Sequence, residues 1–395
     1  MMIKYIILYF ILCHGVESWE EEYSEETNES LDDIVKRWGY KGFEYYEVTT
    51  ADGYIITVIR LQREGAEKMV PILFTHGFSG CAKSFFLGKN ESAPIFLADN
   101  DYDVWLMNSR GTDLSLRHTT LDSRRDKEFW MYSWQEIGLY DLPAAIDLVL
   151  KHNIHKKTVL IGHSEGSTVI FVTLSDRPEY NEKVSLSVHW GVSVYHEHCS
   201  SLPLFQLVCQ LAPTLTNILD SLGYVIVYPN RSFSQFMSNL CKYTVFKALC
   251  VEIGQIVLFQ KQSKFLETVD WPFIFTKGFC GGSVKELLHY LQIGNSGRFA
   301  RFDYGSAKNL KVYNSSEPPI FHLENVSSAV AVWCGDEDVY CSQNDVDKLT
   351  SKLSNVVSTN FSGKSSLSHI DFLLVEDIHE KIYKDLLNLL KKYST

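Results

Sequence analysis

The strongest constraint on the fold is an alternation of apolar, strand-like segments with helical segments between residues 69 and 195. The strand-like segments are MVPILFTHGFSG, YDVWLMNSRG, TVLIGHSEG and VSLSVHWGVSVY, and the helical segments are ESAPIFLADN and YDLPAAIDLVLKHN. Strands that alternate with helices are typical of right-handed crossovers between parallel strands. The pattern therefore predicts an α/β fold with a mainly parallel central sheet flanked by helices on both faces. Ahead of it, FEYYEVTTADGYIITVIRLQ predicts a hairpin that turns at Asp52 and Gly53.

The alternation breaks after the strand-like segment that begins at Val184. From there to about residue 310 the sequence is rich in aromatic residues, is interrupted by prolines and shows no strand–helix rhythm. Regular patterns return with SSAVAVWCGDED, STNFSG, SLSHIDFLL and a closing amphipathic helix, EDIHEKIYKDLLNLLKK. We therefore predict a first core segment at residues 19–189, a mostly helical cap or lid insertion at 190–310, and a second core segment at 311–395.

The first 18 residues are predicted to be a secretory signal peptide. Lys4 precedes an apolar run from Tyr5 to Cys13, and small residues lead to a cleavage site after Ser18. The run is too short to span a membrane, and no later segment is typical of a transmembrane helix. We expect a secreted or lysosomal protein without a transmembrane anchor, in a compartment where disulfides form.

Charge excludes one class of partner. The net charge of −11 at pH 7 argues against nucleic acid. It is compatible both with solubility at neutral pH and with work in an acidic compartment, so charge alone does not locate the protein. No CxxC pair indicates a zinc site, and we expect neither a metal nor an organic cofactor.

The segment TVLIGHSEGSTVIF contains the pattern Gly162-x-Ser164-x-Gly166. A sharp strand-to-helix turn needs glycines where the chain folds back, and such a turn lifts the serine hydroxyl clear of the backbone. The pattern also arises by chance, and Ser164 could be only a small polar residue in a turn. A nucleophilic serine needs a base and an acid that orients the base, so the rest of the chain decides.

Candidates for the acid and the base follow in the order typical of this kind of sheet. The loop CGDEDVYC follows a predicted strand and offers three acidic residues, of which Asp338 is preferred and Asp336 is the main alternative. His369 lies in a loop beyond them, whereas His379 lies on the predicted closing helix. We predict that Ser164, Asp338 and His369 form a catalytic triad, against the alternatives of a solvated acidic turn and a structural histidine.

Hydrolysis also needs two hydrogen-bond donors for the oxyanion that forms when the serine attacks a carbonyl. The residue after the nucleophile supplies one backbone N–H, here that of Glu165. The segment THGFSG supplies the other, because Gly77 allows the chain to approach the site and to present the N–H of Phe78. The alternative is that this segment is an ordinary turn at the end of a strand.

Cysteines and glycosylation sequons fit a secretory chain. Cys241 and Cys250 in LCKYTVFKALC are close enough in sequence for a helical turn to close a disulfide, with buried free thiols as the alternative. The pairing of Cys81, Cys199, Cys209, Cys280, Cys334 and Cys341 stays open. The candidate glycosylation sites are Asn28, Asn90, Asn230, Asn314, Asn325 and Asn360.

The chain resembles the acid lipases, the group that contains gastric lipase and lysosomal acid lipase. The resemblance runs from about Asp32 to the C-terminus and rests on EVTTADGYIITVIRL, FTHGFSG, YDVWLMNSRGT, EFWMYSWQEIGLYDLPAAID, IGHSEGST, AVWCGDEDVYCSQNDV and SHIDFLL. It implies an α/β-hydrolase core with a cap and lid, and hydrolysis of triacylglycerols or cholesteryl esters at acidic pH. We further expect a monomer that meets its neutral lipid substrate at a lipid–water interface. The residue roles that the resemblance implies are a triad of Ser164, Asp338 and His369, oxyanion donors at Phe78 and Glu165, and a Cys241–Cys250 disulfide.

Two departures from the family pattern are visible. Glu165 stands where the family usually has Gln, and an ionised carboxylate beside the developing negative charge would oppose catalysis. We therefore hypothesise that Glu165 is protonated at the working pH and donates a hydrogen bond as an amide would. The second departure is the segment from about His196 to Asn217, which resembles the family little, so the substrate preference is poorly constrained.

Two other functions fit part of the sequence. A soluble esterase for short acyl groups would use the same triad, and charge and composition do not separate it from a lipase. A catalytically silent lipid-binding protein on the same fold is a further alternative, although such a protein would not need all three triad residues.

Overall fold

The computed structural model describes residues 30–196, 225–227, 231–257, 269–361, 367–374 and 382–394. The predicted signal peptide, the sequons at Asn28 and Asn230, and His379 lie outside the described residues. Part of the predicted cap and part of the predicted closing helix lie outside them as well.

A nine-stranded sheet forms the centre of the described part of the chain, in the order β1-β2-β4-β3-β6-β7-β10-β11 with β5 paired to β2. Strands β4, β3, β6, β7, β10 and β11 pair in parallel, whereas β1, β2 and β4 pair antiparallel. The predicted mainly parallel sheet and the predicted hairpin are therefore confirmed. A separate two-stranded sheet joins β8 to β9. The strands are β1 Phe43–Thr49, β2 Tyr54–Leu61, β3 Val70–Thr75, β4 Tyr102–Asn108, β5 Arg117–His118, β6 Thr158–His163, β7 Val184–Trp190, β8 Ile226–Val227, β9 Gly282–Ser283, β10 Ala329–Cys334 and β11 Val356–Phe361.

Helices connect the parallel strands and also make up most of the described region between β7 and β10. They are α1 Leu31–Arg37, α2 Ala93–Asp99, α3 Trp134–Glu136, α4 Leu142–Lys151, α5 Glu165–Asp176, α6 Arg231–Cys241, α7 Lys247–Val257, α8 Trp271–Lys277, α9 Val284–Ser296, α10 Ser306–Tyr313, α11 Gln343–Thr350, α12 Asp371–Leu374 and α13 Lys384–Tyr393. A π-helical turn, Ile137–Asp141, joins α3 to α4. Short 3₁₀ turns lie at Ala66–Lys68, Ala82–Phe86, Lys89–Glu91, Lys127–Trp130, Pro178–Lys183, Thr244–Phe246 and Leu323–Asn325.

The central strands are buried on both faces. In β3, Ile72 and Phe74 pack into one hydrophobic core, whereas Leu73 packs into the other. Successive side chains of a strand point to opposite faces, so a strand covered on both sides is mostly apolar on both faces. This explains why the parallel strands are continuous apolar runs in the sequence rather than alternating ones.

The region between β7 and β10 is mostly helical where the structure describes it, with α6 to α10 and the β8–β9 pair. Side chains of α6, α8 and α12 share one apolar cluster that includes Met237, Trp271, Phe275 and Leu374. The helix after the histidine loop therefore packs against helices of the predicted cap. The boundaries of the cap at residues 190 and 310 stay predictions, and α10 runs through the second of them.

Three disulfides are present among the described residues. Cys241 pairs with Cys250, as predicted, with their Cα atoms 6.0 Å apart. The structure also pairs Cys81 with Cys280 and Cys334 with Cys341.

Among the sequon residues that the structure describes, Asn90, Asn314 and Asn325 are exposed and Asn360 is partly buried. The amide nitrogen of Asn325 donates a hydrogen bond of 3.0 Å to the carbonyl oxygen of Ser175. The side chain of Asn325 is therefore anchored to the end of α5, whereas glycosylation at all of these sites stays a prediction.

Candidate active site

Ser164 lies in a sharp turn between β6 and α5. Its backbone has φ 55° and ψ −117°. For a residue with a Cβ, this conformation is unfavourable by about 1–3 kcal/mol. The turn is held by a 2.9 Å hydrogen bond from the Ser164 N–H to the carbonyl oxygen of Trp190. Ser164 is partly exposed, although its neighbours on both sides are buried. The turn therefore presents the serine side chain at the carboxyl end of the sheet, as the Gly-x-Ser-x-Gly pattern predicts.

The two glycines of the pattern are needed for close backbone packing. A Cβ added at Gly166 would lie 2.1 Å from the carbonyl oxygen of Thr75 at the end of β3. A Cβ added at Gly162 would lie 2.6 Å from the carbonyl carbon of Gly166. No heavy side chain fits either space, so these positions hold the first turn of α5 against β3.

His369 and Asp338 are in direct contact. The Nδ1 atom of His369 lies 2.9 Å and 3.0 Å from the two carboxylate oxygens of Asp338. The Asp338 side chain is fully buried, and one of its oxygens also accepts a 2.8 Å hydrogen bond from the backbone N–H of Tyr340. A carboxylate on Nδ1 selects the imidazole tautomer whose Nε2 can accept a proton.

The alternative acid has a different contact. Asp336 is exposed, and its Oδ1 accepts a 3.0 Å hydrogen bond from the backbone N–H of Leu367. It therefore holds the start of the histidine loop rather than the imidazole ring. Of the acids that the sequence offered, Asp338 is the one that lies on His369.

The histidine loop is fastened beside the serine turn by His163, a residue that sequence reasoning did not single out. The Nε2 atom of His163 lies 2.8 Å from the carbonyl oxygen of His369, and the two rings lie 5.0 Å apart. A carbonyl oxygen only accepts hydrogen bonds, so Nε2 of His163 carries the proton. Burial lowers the pKa of His163 to about 3, which keeps the ring neutral. His163 immediately precedes Ser164, so this bond joins the base to the nucleophile turn.

Gly191 makes room for the acid–base pair. It has φ 57°, and a Cβ at this position would lie 2.8 Å from Nδ1 of His369 and 3.1 Å from a carboxylate oxygen of Asp338. A side chain here would displace the pair, so Gly191 is part of the site. Its signal in the sequence was weak, because a glycine directly after a strand is common.

The two residues predicted as oxyanion donors lie in segments that approach Ser164. A Cβ at Gly77, the residue before Phe78, would lie 3.1 Å from the Cβ of Ser164. Glu165 is the first residue of α5, where backbone N–H groups have no partner within the helix. His76 fixes the first segment, since its Nε2 accepts a 3.1 Å bond from the N–H of Ser109.

Glu165 is buried against a second acid, Glu286, which is the third residue of α9. The two residues are 2% and 3% exposed, respectively. Burial raises the pKa of Glu165 well above its usual range, and the negative charge of Glu286 raises it further. Burial also raises the pKa of Glu286. Sequence reasoning missed Glu286 because nothing in its local segment distinguishes it from the Glu of a helix capping box.

One grouping of possible metal ligands occurs in the described part of the chain, at Cys81, Asp113 and Cys280. The two cysteines are joined as a disulfide, so neither offers a thiolate. A single carboxylate remains, which is too few ligands for a stable site.

Comparisons with known proteins identify the fold and the family of the chain. Residues 31–89 match the family described as a partial alpha/beta-hydrolase lipase region, and residues 70–188 match the alpha/beta hydrolase fold. Lipase 1 of Drosophila melanogaster is 34% identical over 93% of this chain and 81% of its own length. The human lysosomal acid lipase/cholesteryl ester hydrolase is 31% identical, over 93% of this chain and 92% of its own. Bovine gastric triacylglycerol lipase is 31% identical, with 92% of each chain covered.

A solved structure from Acinetobacter baumannii, which carries a provisional lipase name, shares the fold. It superposes with a TM-score of 0.51 at 12% identity, over 93% of this chain and 99% of its own. At this identity the similarity concerns the fold alone. Among the described residues, no helix is long and apolar enough to cross a membrane.

Proposed function

We propose, from the premise that this chain belongs to the acid lipase family of the α/β-hydrolases, that it hydrolyses carboxylic esters of neutral lipids through an acyl-enzyme on Ser164. Family membership makes it an ester hydrolase. The observation that carries the mechanism is the buried Asp338–His369 pair, held beside the Ser164 turn by the bond from His163 to the carbonyl of His369.

Each triad residue has one role in the proposed reaction. The Oγ atom of Ser164 attacks the ester carbonyl carbon while its proton passes to Nε2 of His369. Asp338 stabilises the imidazolium that forms, through the bond to Nδ1. The carbonyl oxygen becomes an oxyanion that accepts hydrogen bonds from the N–H groups of Phe78 and Glu165.

Two further steps complete the turnover. The tetrahedral intermediate collapses when its C–O bond to the alcohol breaks, and the alcohol leaves with the proton from His369. Water then attacks the acyl-enzyme while His369 takes a proton from it, and a second collapse returns the proton to Ser164 and releases the fatty acid.

Apolar surroundings support a neutral lipid as substrate. Ile370, next to His369, packs against the cap cluster that contains Met237, Trp271 and Phe275. An acyl chain that contacts such a surface gains about 0.8 kcal/mol for each methylene it buries. Relatives named for triacylglycerol and for cholesteryl ester hydrolysis both match, so we propose that one of these two ester classes is the substrate.

We further propose that the enzyme acts outside the cytosol, as a secreted or lysosomal monomer at a lipid–water interface. Three disulfides support an oxidising compartment. The names of the lysosomal and gastric relatives support the same two destinations.

The test compares an emulsified long-chain triacylglycerol, an emulsified cholesteryl ester and a dissolved p-nitrophenyl butyrate as substrates. We expect hydrolysis of an emulsified ester, and we expect Ser164→Ala to lose about 10⁶-fold in kcat. Ser185→Ala is the matched control. Ser185 is partly buried on β7, and its hydroxyl donates a hydrogen bond to the carbonyl oxygen of Thr158.

Two results would contradict the proposal. Hydrolysis of the dissolved ester alone would indicate a short-chain carboxylesterase. Binding of lipid without hydrolysis of any ester would indicate a lipid-binding protein.

A further inference from the structure

We propose that Glu286 is a positioning residue that holds the nucleophile turn by sharing a proton with Glu165, so that ester hydrolysis requires this carboxyl pair to keep at least one proton. The proposal rests on the proposed serine mechanism and adds to it a second acidic residue, from the predicted cap.

The pair joins two helix starts at the catalytic site. Glu165 opens α5 directly after Ser164, and Glu286 lies in the first turn of α9. Glu286 is anchored on its own side, because its Oε2 accepts the backbone N–H of Ser283 in a capping box. The hydroxyl of Ser283 donates in turn to the carbonyl oxygen of Trp130. The carboxyl of Glu286 therefore has a fixed position from which to contact Glu165.

The start of α9 also borders the other predicted oxyanion donor. A Cβ at Gly282 would lie 2.9 Å from Oε2 of Glu286 and 3.6 Å from Cε2 of Phe78. The backbone N–H of Cys280 donates a 2.8 Å bond to the carbonyl of Ser79, next to Phe78. One short segment of the chain thus supports both oxyanion donors, and Glu286 is its contact with Glu165.

The contact between the two carboxyls requires a proton. Hydrogen bonding and charge coupling to Glu286 both raise the pKa of Glu165, so the two buried carboxyls act on each other directly. The Oε2 of Glu165 is buried without a partner. Ionised carboxylates only accept hydrogen bonds, so a bond between two of them exists only when one is protonated. Two negative charges buried side by side would instead repel each other, and the charge of Glu286 does raise the pKa of Glu165.

The charged groups around the pair do not replace the proton. Asp141 raises the pKa of Glu286 and Arg110 lowers it, and these two residues already bond to each other. The phenol groups of Tyr132 and Tyr290 also face the pair, and both stay neutral because burial raises their pKa. On the side of the nucleophile turn, burial lowers the pKa of His76 to about 4 and that of His163 to about 3, so both rings stay neutral.

Loss of the shared proton would act directly on catalysis. The N–H of Glu165 is a predicted oxyanion donor, and a second negative charge on the pair would oppose the charge that develops there. The repulsion would also push the start of α9 away from α5. We therefore expect kcat to fall as the pH rises through the pKa of the pair, with little change in KM, because the effect arises in the transition state.

The experiment measures kcat and KM for a dissolved ester from about pH 4 to about pH 9, across the range in which carboxyl groups and their shifted forms titrate. Above its midpoint the parent should lose about tenfold in kcat per pH unit. The E165Q/E286Q variant should keep more of its kcat there, because an amide pair makes the same bond without a titrating proton. Glu182→Gln is the control, since it removes an exposed carboxylate from the 3₁₀ turn that follows α5 and should show the parent profile.

A second comparison separates positioning from simple support of the fold. Glu286→Ala should lower kcat even at acidic pH, and Glu286→Gln should restore it. Parallel decline of kcat in the parent and in E165Q/E286Q, or equal kcat in Glu286→Ala and Glu286→Gln, would overturn the proposal.

An infrared measurement tests the proton without activity. The parent should show the carbonyl stretch of a buried protonated carboxyl that E165Q/E286Q lacks and Glu182→Gln retains. Absence of that band from the parent at acidic and neutral pH would overturn the shared proton. Absence of ester hydrolysis at every pH would instead overturn the proposed function.

Discussion

Two neighbouring sites in the core bury carboxyl groups in different ways. At the first, Asp141 is fully buried against Arg110, whose guanidinium donates to it at 2.6 Å and 2.9 Å and also bonds to Asp52. At the second, Glu165 faces Glu286, and no cation bonds to either carboxyl among the described residues. A guanidinium keeps its positive charge at every pH of interest. A proton shared by two carboxyls, in contrast, dissociates when the pH rises. The fold therefore balances the charge of Asp141 with a cation at every pH, whereas it neutralises the Glu165–Glu286 pair only while the pair keeps a proton.

The Arg110 site is built for permanence. The backbone N–H of Arg110 also donates to Asp141 at 2.9 Å, and the guanidinium lies 3.8 Å from the ring centroid of Tyr54. Tyr132 donates to the Arg110 carbonyl oxygen at 2.9 Å. Burial still raises the pKa of Asp141, and the charge and bonds of Arg110 oppose this. Such a network is sensitive to the loss of a partner and insensitive to pH.

The largest expected effect concerns Asp338, a third buried carboxylate whose partner is an imidazole. Asp338→Asn should keep the fold but lower kcat by about 10⁴-fold, because an amide would favour the wrong tautomer of His369. The measurement is steady-state ester hydrolysis, with Asp336→Asn as the matched control, since among the described residues Asp336 accepts its hydrogen bond from the loop backbone. Equal losses in the two variants would contradict the assignment of Asp338 as the acid.

The next effect would break the permanent site. Arg110→Met should lower the free energy of unfolding by about 3–5 kcal/mol, because it leaves Asp141 buried without its cation. Arg117→Met removes an exposed ion pair with Glu47 and should cost less than about 1 kcal/mol. Urea unfolding followed by circular dichroism measures both, and similar losses would show that the buried network carries no special stability.

The smallest expected effect concerns how the Glu165–Glu286 pair makes the stability of the protein depend on pH. The pKa of both carboxyls is raised in the folded protein, so their stabilising contribution is complete below the ordinary carboxyl pKa and is lost as pH rises through the raised values. The parent should lose about 1.4 kcal/mol of unfolding free energy per pH unit in that range relative to E165Q/E286Q. Urea unfolding at a series of pH values measures the difference. A constant difference between the two proteins would mean that the pair binds no proton in the native state.

Much of the fold could be predicted because its signals are local. The parallel strands are continuous apolar runs bounded by turn residues, and the hairpin has Asp52 and Gly53 at its turn, so residue type alone indicated both. The helix Leu31–Arg37 was not predicted, because its definition depends on Ser30, whose hydroxyl accepts the N–H of Asp33 at the helix start. A single cap of this kind is a weak signal in an acidic segment.

The residues of the site also differ in whether their local sequence reveals them. The serine turn, the acidic loop and the histidine loop each follow a recognisable strand, which is why Ser164, Asp338 and His369 were found. The roles of Gly191 and His163 depend on which loops meet in three dimensions. Glu286 was invisible for the same reason, since its partner lies far away along the chain.

The pairing of Cys81 with Cys280 could not be predicted either. The two cysteines are 199 residues apart in the sequence, so no short spacing favours their pairing. The choice is made by the meeting of the loop after β3 with the segment before α9, which only the tertiary structure defines.

The backbone conformation of Ser164 has a consequence for how this protein can change. Ser164 is held at φ 55°, a backbone conformation that glycine adopts without strain. Replacing the serine with glycine would relax the chain and remove the hydroxyl in one step. Selection for thermal stability therefore favours glycine at position 164, whereas selection for ester hydrolysis favours serine. A homologue that no longer needs the reaction would gain stability from this one substitution.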